Sequence, residues 1–220
     1  MKLQYLGDSK DSFKWDYHDY LTSALEYPRL NIIPMLTPDD RSNNGKTRPE
    51  LYSAKESIID FCQRLRKEEN LNLLQKLPNS TLASYRVDLH KPDTYFTNQK
   101  REKYFSEISA EEKCLFFLDP DNGFEPRRSR TKKHVLYSDI EFILNQINEE
   151  SIISVFQHFR RIPFDKDFAQ IKAHFPSNHI AAVYWHFLMF VTIAKTKETI
   201  KKVIYANCQY AKKYPVRVLQ

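Results

Sequence analysis

The sequence predicts a three-layer α/β/α domain on a mostly parallel sheet, closed by an antiparallel C-terminal strand pair. Three observations predict it. Short apolar segments alternate with helix-periodic ones, the pattern of βαβ units. Segment 113–118 (Lys-Cys-Leu-Phe-Phe-Leu) is apolar on both faces, as a central parallel strand should be. Segments 179–185 and 187–194 lie too close together for a crossover helix, so they pair antiparallel. At 220 residues the chain is expected to form one α/β domain, with a helical or irregular insertion over about 67–112.

The elements follow in order. Residues 3–7 read as a short strand ending at Gly7-Asp8. Residues 11–26 place Phe13, Tyr17, Tyr20, Leu21, Ala24 and Leu25 on one helical face, and Tyr27-Pro28 stops that helix. A second strand covers 31–36, where Pro34 marks an edge or an end. Residues 37–49 are loop-like, and Pro49 suits the first turn of a helix over 50–67. A short helix near 71–77, a strand within 81–90 and a helix-bearing connection over 91–110 lead to the central strand. Beyond a basic loop, Ser138-Asp139-Ile140-Glu141 has a capping-box pattern. A strand over 152–159, a helix over 164–175, the strand pair and a helix over 196–213 complete the chain.

Composition narrows the function. Forty-one per cent apolar residues, with 15 Phe and 13 Tyr, fill a core and exclude general disorder. No apolar run is long enough to span a membrane, and no signal-peptide core follows Met1, so a cytoplasmic protein is expected. Cys62, Cys114 and Cys208 are scattered and form neither a disulfide framework nor a zinc pattern. Gly7, Gly45 and Gly123 are the three glycines, each isolated, which excludes the glycine-rich phosphate loops. The net charge of +6 favours an anionic partner, and nucleic acid is the commonest.

In an open parallel sheet, ligands bind beyond the carboxyl ends of the strands. Polar residues gather at those positions: Asp8, Lys10 and Asp11; Thr37, Asp39 and Asp40; Asp119, Asp121 and Asn122; Gln157, His158 and Arg160. Asp119-Pro120-Asp121-Asn122-Gly123 is the most informative stretch. Pro120 biases Asp119 toward an extended conformation at the tip of a buried strand. There a carboxylate accepts hydrogen bonds from an exocyclic amine, or holds a divalent metal with Asp121. The same residue types also make ordinary turns. Asp8 is read as a site residue and Asp11 as the more natural helix cap. Lys14, one turn further on, reads as a solvated lysine. His158 is a candidate general base or base-contacting group, while His179 and His186 have no spaced partner. Arg127, Arg128, Arg130, Lys132 and Lys133 form a basic loop suited to phosphate.

From residue 113 to about 213 the element order resembles the C-terminal half of class I S-adenosylmethionine-dependent methyltransferases of the amino-group type. The family carries Asp/Asn-Pro-Pro-Tyr/Phe on a Rossmann-like sheet. Asp119 and Pro120 match its first two positions; Asp121 and Asn122 replace the second proline and the aromatic, with Phe124 as the nearest substitute. The resemblance implies an enzyme acting on nucleic acid. Asp119, Asp121, Asn122 and His158 would form its catalytic site, and Asp8, Asp39 and Asp40 would contact S-adenosylmethionine. Its glycine-rich cofactor loop corresponds here to Met35-Leu36-Thr37-Pro38-Asp39-Asp40, which contains no glycine. Read from the residues alone, Asp8, Asp119 and Asp121 would instead hold Mg²⁺ in a nuclease or phosphohydrolase. A non-catalytic module that binds nucleic acid or protein is the third alternative.

Overall fold

The structure is a computed structural model that describes residues 1–40, 45, 47–128 and 130–220. The loop expected over 37–49 therefore lies partly outside the described residues, as does Ser129 in the basic loop.

A short 3-10 turn at Leu3–Tyr5 precedes helix α1 (Ser9–Ala24) and strand β1 (Arg29–Ile33). Helices α2 (Glu56–Glu68) and α3 (Leu77–Thr81), strand β2 (Arg86–Leu89) and helix α4 (Arg101–Ser106) follow. Strand β3 (Leu115–Leu118) leads into a small pair, β4 (Gly123–Phe124) and β5 (His134–Val135). The C-terminal part contains α5 (Tyr137–Leu144), β6 (Ile152–His158), α6 (Phe164–Ala173), β7 (His179–Trp185), β8 (Leu188–Ala194), α7 (Lys197–Ala211) and β9 (Arg217–Leu219).

The main sheet has the order β2-β1-β3-β6-β8-β7-β9. Strands β2, β1, β3 and β6 are parallel neighbours. β8 inserts antiparallel between β6 and β7, and β9 pairs antiparallel with the far side of β7. Successive residues of β3 point to opposite cores. Leu115 and Phe117 face the side covered by α1, α2, α3 and α7, and Phe116 and Leu118 face the side covered by α4, α5 and α6. This Rossmann-like α/β/α arrangement is the predicted one. Among the described residues no helix is long and apolar enough to cross a membrane.

Three local expectations change. Residues 3–7 are not a strand: their amides bond back to carbonyls three residues earlier, Tyr5 to Lys2 at 3.2 Å and Leu6 to Leu3 at 2.9 Å. Helix α1 consequently starts at Ser9, and Asp8 rather than Asp11 is its N-cap, accepting from the amides of Lys10 and Asp11. At α5 only half of a capping box forms: the Leu136 amide donates to Asp139 at 2.7 Å.

The turn after β3 is held from below by β6. The Gln157 side chain accepts from the Phe124 amide at 2.8 Å and donates to the carbonyl of His158. Gly123 has φ +106°, and a Cβ there would lie 2.2 Å from Gln157 Oε1. Gly123→Ala therefore imposes both a left-handed backbone and a clash. Denaturant unfolding should show a loss of about 1–3 kcal/mol, with the slope of the transition unchanged.

Candidate functional site

Two kinds of element end together at one edge of the sheet: the parallel strands β3 and β6, and the N-terminus of α1. Between them opens a cleft of about 720 Å³ lined by Asp8, Asp11, Lys14, Asp119, Asp121 and His158, among others. Part of the sequence-predicted set thus converges: Asp8, Asp119, Asp121, Asn122 and His158 share one cleft. Asp39 and Asp40 do not line it. Asp39 accepts from the Gln4 amide at 3.2 Å, and Asp40 pairs with Lys2.

Lys14 is the residue the sequence reading misplaced. It is not solvated but 6 % exposed. Its Nζ lies 2.8 Å from Asp11 Oδ1 and 2.7 Å from Asp119 Oδ2, and 5.6 Å from the centre of the Phe156 ring. Burial opposes the ammonium, but the two carboxylates outweigh it and hold Lys14 firmly protonated. Asp11, expected as a cap, instead accepts from the Gly7 amide at 2.8 Å and from Lys14. One sequence signal was available: Asp11 and Lys14 are three residues apart, the spacing of a helical ion pair.

The remaining groups differ in what binds them. Asp119 Oδ2 is taken by Lys14, while Oδ1 has no hydrogen bond among the described residues. Burial raises the Asp119 pKa against the opposing pull of Lys14. Asp8 is 2 % exposed, and burial, reinforced by Asp11, pushes its pKa up to about 7. Asp121 is lowered: burial is outweighed by the Met1 amino group at 2.8 Å, and Thr37 Oγ1 donates to it at 2.5 Å. His158 has Nδ1 3.2 Å from the Phe159 carbonyl, so Nδ1 carries the proton and Nε2 presents a lone pair. Burial lowers its pKa and keeps the ring neutral. The Asn122 side chain turns to His134 Nε2 at 3.3 Å.

These contacts bear on two sequence expectations. Among the described residues no group of three His, Cys, Asp or Glu side chains is arranged to hold a metal ion. The cations of Lys14 and Met1 occupy one oxygen of Asp119 and one of Asp121, the places that Mg²⁺ would take in the reading of Asp8, Asp119 and Asp121 as ligands. The loop after β1 does not fit S-adenosylmethionine in the way the resemblance implied. Its backbone is already engaged: the Met35 carbonyl by the Met1 amino group, the Thr37 amide by the Met1 carbonyl, and the Leu36 carbonyl by the Phe96 amide. Phe124 does not replace the missing stacking aromatic either, because it is fully buried and stacked on Tyr137 at 5.5 Å.

The basic loop stays outside the cleft. Arg130 pairs with Glu125 at 2.5 Å, and Arg127 and Arg128 are exposed. Lys132 and Lys133 are half-buried, and the Lys133 carbonyl accepts from the Asn122 amide at 3.0 Å, which ties the loop to the Asp119 turn.

No family model matches this chain, and no curated protein matches it significantly. Solved structures with a similar chain path include human methyltransferase-like protein 13 in complex with SAH, at 11 % identity and a TM-score of 0.40, covering 93 % of this chain and 91 % of that one. A DUF574 family protein from Streptomyces avermitilis has 8 % identity and a TM-score of 0.42, with 85 % and 83 % covered. Spermidine synthase in complex with the transition-state analogue AdoDATO has 12 % identity and a TM-score of 0.40, with 86 % and 64 % covered. Likeness at this level carries no statement about this chain's ligand or reaction.

Two outcomes follow from the buried charges. Lys14→Met leaves Asp11 and Asp119 buried without their cation and should cost about 3–5 kcal/mol in urea unfolding. The triple variant D11N/K14M/D119N, which removes all three charges together, should recover much of that loss. Asp8 gives a pH signature. Its folded pKa of about 7 lies above the ordinary 3.8, so the folded state binds the proton more tightly. The associated stability is full below pH 3.8 and is lost as the pH rises through about 7. Asp8→Asn keeps a capping oxygen and removes this titration. Measured across that window, the variant should gain steadily on the parent protein.

Proposed function

We propose that the chain is an enzyme acting on an amino group of a nucleic-acid base, with Asp119 receiving the amine. One observation carries the reading. Asp119 is a buried carboxylate at the carboxyl end of the central strand, with one oxygen neutralised by Lys14 and the other without a partner at the cleft. A carboxylate oxygen that meets the cleft with no partner in the protein is open to a ligand that donates a hydrogen bond. Adenine and cytosine carry such donors as exocyclic amines.

His158 supplies the second role. With Nδ1–H directed at the Phe159 carbonyl, Nε2 presents a lone pair that accepts a hydrogen bond or a proton from an amine held at Asp119. Asp8 adds a carboxyl group that changes protonation near neutral pH, so the cleft holds both a proton donor and a proton acceptor at pH 7. Asp121 and Asn122 serve the turn rather than the chemistry, since Asp121 is bound by Met1 and Thr37, and Asn122 by His134. Nucleic acid is the substrate class because the basic loop with Arg127, Arg128, Arg130, Lys132 and Lys133 is tethered to this turn through Asn122. The cofactor loop inferred from the resemblance has no part in the mechanism.

Matched nucleosides test the reading directly. In thermal-shift and calorimetric titrations, adenosine and cytidine should bind the protein, and inosine and uridine should bind at least tenfold more weakly. Equal responses from adenosine and inosine would remove the amine from the proposal.

A further inference from the structure

We propose that a groove at the opposite end of the sheet is a second binding surface, and that its ligand is single-stranded nucleic acid. The proposal goes beyond the amine chemistry of the cleft and does not depend on it. The groove, of about 490 Å³, lies between the C-terminal end of α1 and the exposed side of α7, and is lined by Tyr20, Leu25, Lys113, Lys201, Lys202 and Tyr205, among others. Lys113 just precedes β3, so the groove sits at the amino end of the strand whose carboxyl end carries Asp119.

Charge and aromatic surface coincide here. Residues 195–213 contain six lysines and one glutamate. Lys201 has no hydrogen-bond or ion-pair partner among the described residues, and Lys202 has only a 3.6 Å contact with Glu198. Glu26 is the one carboxylate among the described lining residues. Tyr205 is 68 % exposed, four residues after Lys201 and therefore on the same helical face. Tyr20 forms the opposite wall, fixed by its hydroxyl donating to the Ala206 carbonyl at 3.1 Å, with Lys213 5.9 Å from its ring centre.

An exposed ring flanked by the ammonium groups of Lys201 and Lys202 is the arrangement that binds a strand: lysines take phosphates and the ring stacks a base. An acidic peptide would use the lysines but would leave Tyr205 without a role. The observations therefore favour nucleic acid.

The test is fluorescence anisotropy with a fluorescein-labelled oligothymidylate on the full chain, at low and moderate salt. Affinity should fall steeply with salt. Lys201→Glu with Lys202→Glu should weaken binding tenfold or more, and Tyr205→Ala at least fivefold, with melting temperatures near that of the parent protein. All three positions are exposed, and a Lys201→Gln, Lys202→Gln protein provides a milder control. Parental affinity in both the lysine and tyrosine variants would overturn the proposal, as would an Arg127→Glu, Arg128→Glu protein that alone loses all binding. Polyglutamate competing as well as unlabelled oligothymidylate, with Tyr205→Ala unchanged, would assign the groove to acidic polymers instead. Thymidine monophosphate competing equally well would reduce it to a mononucleotide pocket and overturn the strand. Nucleoside binding in the cleft should be unaltered by the α7 variants, so failure here and failure of the amine reading remain distinct.

Discussion

A helix rich in charged and polar groups is buried on almost every side, and the rest of the molecule is arranged to satisfy it. Asp11, Ser12, Lys14, Asp16, His18, Asp19 and Thr22 of α1 all lie in the interior. Each group taken from water needs a partner, because an unpaired buried charge costs several kcal/mol. The partners come from every neighbouring element. Asp16 accepts from the Lys55 amide at 2.8 Å and from the Tyr210 hydroxyl at 2.7 Å. Asp19 binds Lys55, Thr81 and Tyr85. His18 meets Ser154 of β6 at 2.8 Å, and Tyr17 donates to Asn207 of α7 at 2.9 Å. The positions of α2, α3 and α7 around α1 follow from this polar accounting as much as from apolar packing.

The cleft is the place where that network reaches the surface. Lys14 continues the chain of ion pairs from α1 to Asp119 just beyond β3, so the geometry of the candidate site rests on the same constraint as the core. The turn that presents Asp119 is braced independently. Gln157 holds Phe124 and contacts Asp167 at 3.2 Å, Asp167 pairs with Arg160, and Arg160 donates to the carbonyls of Phe124 and Glu125 at 3.2 Å. A rigid turn and a buried cation together fix one carboxylate oxygen in place and leave the other open.

What the sequence made legible was the part decided by apolar pattern. β3 is apolar at every position and proved central, and β7 and β8 pair antiparallel, as their short separation requires. The segment 3–7 failed because Leu3, Tyr5 and Gly7 satisfy an alternating pattern and a 3-10 turn equally well, and only the backbone hydrogen bonds distinguish them. The candidate site was half legible. Strand-end position brought Asp119 and His158 to the cleft, but Lys14 reads as surface because its second partner, Asp119, lies 105 residues away. Asp39 and Asp40 were placed by the same strand-end argument, yet β1 ends at Ile33, and the chain beyond it turns toward Lys2 and Gln4.

The contacts of α1 also have a temporal consequence. Tyr17 and Asn207 are separated by 190 positions, and Asp16 and Tyr210 by 194. A ribosome adding about 5–20 residues per second needs about 10–40 s to cover that distance. Until α7 has emerged, Asp16 and Tyr17 lack the Tyr210 and Asn207 partners that complete their burial. The helix that organises the finished molecule is thus completed only by a segment made nearly two hundred residues later.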